Sequence, residues 1–120
     1  MLPIVVVTGG RNFTNKTLVN DVLSKLRNEI GNFFLYQGGC SGADVLAKEW
    51  ALINGLMTKT FWADWATHGK AAGPVRNERM LLAAKNSGNK VVVVAFTGGR
   101  GTASCVRLAK KFNLTVVQAL

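Results

Sequence analysis

Three short glycine-rich stretches carry the residue types that could do chemistry: Thr8-Gly9-Gly10-Arg11, Gly38-Gly39-Cys40-Ser41-Gly42-Ala43-Asp44 and Thr97-Gly98-Gly99-Arg100-Gly101-Thr102-Ala103-Ser104. Glycine lacks a Cβ and accepts φ > 0, so a phosphate can come close to backbone amides, and a helix start just beyond offers free N–H donors. Any one of these loops could be only a tight turn; three together point to an anion cradle. Arginine pairs with phosphate through two parallel hydrogen bonds. Arg11 and Arg100 each follow a glycine pair, and Arg76, Asn77 and Arg79 open a helical stretch. A cation at a helix start opposes the helix dipole, a small cost that a bound anion would offset. Ser41, Thr102 and Ser104 either cap helices or donate to phosphate. Asp44 is placed to read a sugar hydroxyl, and Glu78 either pairs with an arginine or serves as a catalytic base.

Familiar alternatives lack their residues. No Gly-x-Gly-x-x-Gly follows the first strand, the second strand ends Gln37-Gly38 with no acid for a ribose, and no Gly-x-x-x-x-Gly-Lys-Ser/Thr occurs. A nicotinamide dehydrogenase and an ordinary P-loop triphosphatase are therefore disfavoured, and no cofactor is called for. Cys40 and Cys105 both lie near helix N-termini, where a thiolate would be favoured, but neither has a paired His or Cys. With His68 alone there are too few soft ligands for a metal. Trp62 and Trp65 could stack on a base or sit at a subunit contact, with core packing the leading reading for Trp62.

The elements that must hold these loops alternate between strand and helix. Strands are expected at Pro3–Thr8, Phe33–Gln37, Met57–Trp62, Lys90–Phe96 and Leu114–Ala119. Helices are expected from about Thr14 to Ile30, with Leu18, Val19, Val22, Leu23, Leu26 and Ile30 on one face, and from Ser41 to Asn54, with Ser41 and Asp44 at capping-box spacing. Two more run from Pro74 to about Lys85, after a loop over 63–73, and from Thr102 to Phe112. This alternation is the signature of a three-layer α/β/α, Rossmann-like domain with a parallel sheet. The first and fourth strands are the most continuously apolar and so belong at its centre. Right-handed crossovers then give the order 3-2-1-4-5, with the crevice between strands one and four flanked by two of the glycine loops.

At 120 residues and 48% hydrophobic composition the chain suits one domain over 1–120, and disorder is excluded. No apolar run is long enough to span a membrane, and Met1–Gly10 lacks the plan of a signal peptide, so no membrane association and a cytoplasmic location are expected. Fifteen Lys and Arg against six Asp and Glu give a net charge of +9, which points to anionic partners, nucleotide or nucleic acid, unless it only solubilises the surface. Lys25, Lys48, Lys85, Lys110 and Lys111 are spread over several helices rather than gathered in one basic run, which counts against a dedicated nucleic-acid groove.

Four motifs in order resemble the YspA-related branch of the SLOG superfamily over nearly the whole chain: Val7–Phe13, Gly38–Asp44, Trp62 through Met80, and Gly98–Thr102. The resemblance implies a Rossmann-like sheet that binds nucleotides or nucleotide-derived signals. Related LOG phosphoribohydrolases carry a Pro-Gly-Gly-x-Gly-Thr-x-x-Glu loop and form dimers, and the DNA-processing protein A domain is another relative. A homodimer is thus implied here too. Thr97 stands in place of the proline and Cys105 in place of the catalytic glutamate. Cysteine supplies neither negative charge nor an activated water for an oxocarbenium-like transition state, so N-glycoside hydrolysis would need Glu78 or Asp44 instead.

Overall fold

Residues 2–119 are described by a computed structural model. Five parallel strands, β1 (Ile4–Thr8), β2 (Phe34–Gln37), β3 (Thr58–Thr60), β4 (Val91–Phe96) and β5 (Thr115–Ala119), form one sheet in the order β3-β2-β1-β4-β5. Helices α1 (Lys16–Ile30), α2 (Ala43–Ile53), α3 (Trp65–His68), α4 (Ala72–Asn86) and α5 (Arg100–Lys111) link them, with a 3₁₀ turn at Gly69–Ala71.

The order follows from burial. Every residue of β1 and β4 is buried, which only central strands covered on both faces allow. They pair in register from Ile4↔Val91 to Thr8↔Ala95. Period-two alternation sends Val5, Val7, Val92 and Val94 to one face, against Val19 and Leu23 of α1 and Ala47, Trp50 and Ala51 of α2. Ile4, Val6, Val91 and Val93 face the other way, against Met80, Leu81 and Ala84 of α4 and Cys105 and Ala109 of α5. Trp50 stacks on Phe33 at 5.8 Å between centroids, and its Nε1 donates to Ser24 Oγ at 3.1 Å. An edge position leaves β5 mostly uncovered.

Four sequence expectations are corrected. The 63–73 segment is not all loop, because Asp64 accepts from the Thr67 amide at 3.1 Å and caps the short α3. Helix α4 starts at Ala72, two residues before Pro74. No capping box forms at Ser41 and Asp44: α2 starts from Gly42 without a side-chain cap, Ser41 Oγ donates to the Arg11 carbonyl, and Asp44 accepts from amides upstream. Likewise Thr102 and Ser104 do not cap α5, whose N-cap is Gly99. Among the described residues no helix is long and apolar enough to cross a membrane.

Candidate functional site

All three glycine loops leave carboxyl ends of strands and meet over β1 and β4, where the strand order reverses direction. They are tied to one another by backbone. Gly10 N–H donates to the Thr97 carbonyl at 3.0 Å, and the Gly10 carbonyl accepts from Ala43 N–H at 3.2 Å and from Phe13 N–H at 3.2 Å. Close approach of the loops explains most of the glycines. A Cβ on Gly42, whose φ is +84°, would strike the Gly10 carbonyl oxygen, and one on Gly98 would strike Thr102 Oγ1. One on Gly9 would come within 2.5 Å of Ala43 Cβ. Gly99 and Gly101 differ: a Cβ at either meets nothing within 4 Å.

Between the loops lies a cleft of about 910 Å³. Gly9, Gly10, Arg11, Gly38, Cys40, Asp44, Arg76, Asn77, Gly98, Gly99, Arg100, Gly101, Thr102 and Ser104 all line it. The sequence reading missed Lys70 and Arg107 on its wall. Arg107 had a signal, since it follows Arg100 and Ser104 at i+7 and i+3 and so shares their face of α5. Lys70, in the 3₁₀ turn, had none. Five cations, Arg11, Lys70, Arg76, Arg100 and Arg107, thus face the cleft against the carboxylate of Asp44 alone among the described lining residues. The first turn of α5 also points there, with no acid and no side-chain cap, so its leading amides are open to an anion.

Other expected site residues lie elsewhere. Glu78 is exposed in an outer groove between α4 and α5, beside Arg107 and Lys111, and does not line the cleft. Arg79 also lies outside it, because its Nη2 donates to the Trp62 carbonyl at 2.8 Å. Gly39 and Ser41 line a neighbouring groove, and Gly42 serves loop packing. Trp62, expected in the core, is 63% exposed, since β3 ends at Thr60 and the chain turns outward after Phe61. Burial pushes the Cys105 thiol up to about 11, with the Asp44 charge adding to it, so the thiolate favoured by its helix position does not form near neutral pH. Among the described residues no three His, Cys, Asp or Glu side chains come together as metal ligands would.

Arg76 and Asp44 form the floor. The buried Arg76 guanidinium donates through Nη1 to the Gly38 carbonyl at 2.6 Å and the Phe61 carbonyl at 3.4 Å, and through Nε to Asn77 Oδ1 at 2.8 Å. Asp44 Oδ2 accepts from the amides of Gly38 at 3.2 Å and Cys40 at 3.3 Å. Burial raises its carboxyl from an ordinary 3.8 to about 6, against the opposing pull of the Cys40 amide, the Arg76 charge and the Gly38 amide. The folded protein therefore holds this proton more tightly than the unfolded chain does. Its contribution to stability is complete below about pH 4, falls by up to about 3 kcal/mol as pH rises to about 6, and is flat beyond. Denaturant titrations between pH 4 and 8 on the wild type and Asp44→Asn should show this as a difference that changes between pH 4 and 6. Parallel curves would contradict it.

The family model described as "YspA, cpYpsA-related SLOG family" matches residues 3–68. Gene 61 protein of Mycobacterium phage D29 is 35% identical over 123 residues, covering 94% of this chain and 93% of that protein. In fold, the chain is similar to the X-ray structure of the structural-genomics target TM1055, with a TM-score of 0.72 at 18% identity over 96% of this chain and 72% of that one. It is also similar to DNA processing protein A (DprA) from Streptococcus pneumoniae, with a TM-score of 0.52 at 19% identity over 97% of this chain and 58% of that one.

Proposed function

Because the chain belongs to the YspA, cpYpsA-related SLOG family, and that membership supports a nucleotide-related function, we propose that it binds a nucleotide or nucleotide derivative in the cleft over β1 and β4. The observation that carries this reading is the start of α5: an uncapped helix N-terminus with open Gly99 and Gly101, Arg100 in its first turn and Arg107 further along, facing a cleft with a surplus of cations. Phosphate there meets free amides and the favourable end of the helix dipole together. Asp44 has Oδ2 committed to the second loop, which leaves its other oxygen for a sugar hydroxyl. Arg76 both positions and neutralises, since Nε and Nη1 are held by Asn77, Gly38 and Phe61 while Nη2, 3.8 Å from Cys40 Sγ, keeps a donor on the cleft wall.

Binding without hydrolysis is the favoured form. Glu78 lies outside the cleft and Cys105 is a buried thiol, so neither replaces the glutamate of a phosphoribohydrolase, and Asp44, the remaining candidate in the cleft, is assigned to the sugar hydroxyl. Base release from a panel of nucleoside monophosphates should not exceed that of buffer. A homodimer is the accompanying proposal, with the exposed apolar Leu52, Ile53 and Met57 as its contact, to be checked by sedimentation.

The direct test is mass spectrometry of small molecules released by heating the purified protein and an Arg100→Ala variant. A nucleotide released by the first and lost from the second is expected. Gly101→Ala gives an independent check. A Cβ there touches no protein atom, so losing a helical glycine should raise stability by about 0.5–1 kcal/mol. Crowding a charge-assisted phosphate contact should at the same time weaken affinity about ten-fold. Higher stability with unchanged affinity would remove phosphate from this helix start.

A further inference from the structure

A second groove of about 470 Å³ adjoins the cleft and shares Arg11, Gly38, Cys40, Trp65 and Arg76 with it. Trp62 forms its far side. The Trp62 ring lies directly on Gly39, where an added Cβ would come within 2.6 Å of Cζ3, yet the residue is 63% exposed. The Cζ3–Cε3 side of the indole thus rests on the loop, while most of the residue stays open to solvent along the groove. Its main chain is held as well, by the Arg79 Nη2 bond to the Trp62 carbonyl. Trp65, 49% exposed, stands where the two compartments join, with the Arg11 guanidinium 5.7 Å from its ring centroid. Arg11 and Arg76 line this groove, and no acid does among its described lining residues.

Resting on the nucleotide reading above, we infer that the ligand carries two nucleosides joined through phosphate, one seated in the cleft and the second base stacked on Trp62. The volumes favour two occupants, because the cleft alone is near the upper end of the roughly 300–1,000 Å³ typical of a whole small-molecule site. A single nucleotide would leave one compartment empty. Aromatic faces accept any base, while a cation between them attracts the phosphate that links two nucleosides. Arg11 lines both compartments, on the path such a phosphate would take. Two sources supply this chemistry: a free dinucleotide, or the end of a single strand of nucleic acid.

Calorimetry on the intact protein separates the outcomes. The probes are the four nucleoside monophosphates, dinucleotides of the same bases in 3′–5′ and 5′–5′ linkage, and a 5′-phosphorylated single-stranded dodecamer. A dinucleotide should bind at least ten-fold more tightly than its monophosphate. Trp62→Ala should weaken the dinucleotide roughly 5- to 150-fold, as expected for one lost base stack, and leave the monophosphate unchanged. Trp62 is exposed, so this variant should keep the wild-type circular dichroism spectrum. A dodecamer no tighter than the best dinucleotide identifies the free dinucleotide as the source; a tighter dodecamer with a steep salt dependence identifies the strand end. Equal binding of mono- and dinucleotide, unaltered by Trp62→Ala, overturns the inference while the nucleotide reading stands. No binding of any probe overturns both.

Discussion

Gly42→Ala is expected to cost about 2–5 kcal/mol, from roughly 1–2 kcal/mol for a side chain at a left-handed φ and about 1–3 kcal/mol for overpacking. The added methyl would strike the Gly10 carbonyl oxygen and the Arg11 main chain, and backbone cannot turn aside as a flexible side chain can. The φ of +84° adds the strain of a left-handed conformation. Gly55→Ala is the control. Its φ is +71° but nothing lies within 4 Å of a Cβ, so it should cost only about 1–2 kcal/mol. Thermal and urea unfolding of the two variants measure the difference. Since Gly10 links the first loop to both others, Gly42→Ala should also open the cleft and abolish ligand binding in the fraction that folds. Equal costs at positions 42 and 55 would mean that the loops are not packed on one another as described.

Arg76→Met should be comparably damaging, about 3–5 kcal/mol, because it takes one partner out of a buried polar cluster and leaves the other behind. The Gly38 and Phe61 carbonyls, at the ends of neighbouring strands, lose the donor that spans them, and Asn77 Oδ1 loses its partner. Asp44 loses the positive charge that opposes its desolvation, so its carboxyl should rise above about 6. Arg76→Lys keeps the charge but not the fork and should recover only part of the loss. A double-mutant cycle with Asp44→Asn isolates the charge coupling of the two side chains: the double variant should be more stable than the sum of the single costs predicts, by about 0.5–3 kcal/mol. A loss under about 1 kcal/mol for Arg76→Met would show that the guanidinium is not an essential strut.

The sheet was legible because its signals are local and one-dimensional. Unbroken apolar runs at Ile4–Val7 and Val91–Phe96 announce strands covered on both faces, and the one-faced apolar spacing from Leu18 to Ile30 announces α1; handedness then leaves little choice of order. Of the site, the three loops and their convergence could be read in the same way. The reason for their glycines could not. Gly9, Gly42 and Gly98 look alike in sequence to Gly99 and Gly101, but the first three are bare because another loop touches them and the last two because nothing does.

The arginines teach the same point. Arg76 and Arg79 stand three residues apart at one helix start, yet the first turns inward to strand-end carbonyls while the second reaches out to the Trp62 carbonyl. Lys70 reaches the cleft wall only through a 3₁₀ turn that no periodicity announces. Hydrophobic pattern and backbone handedness act over neighbouring residues and are written along the chain, so the sequence by itself determined the fold and the sheet edge at which the three glycine loops gather. The work each polar side chain does there depends on partners dozens of residues away, such as Gly38 for Arg76, and only the tertiary structure decided it.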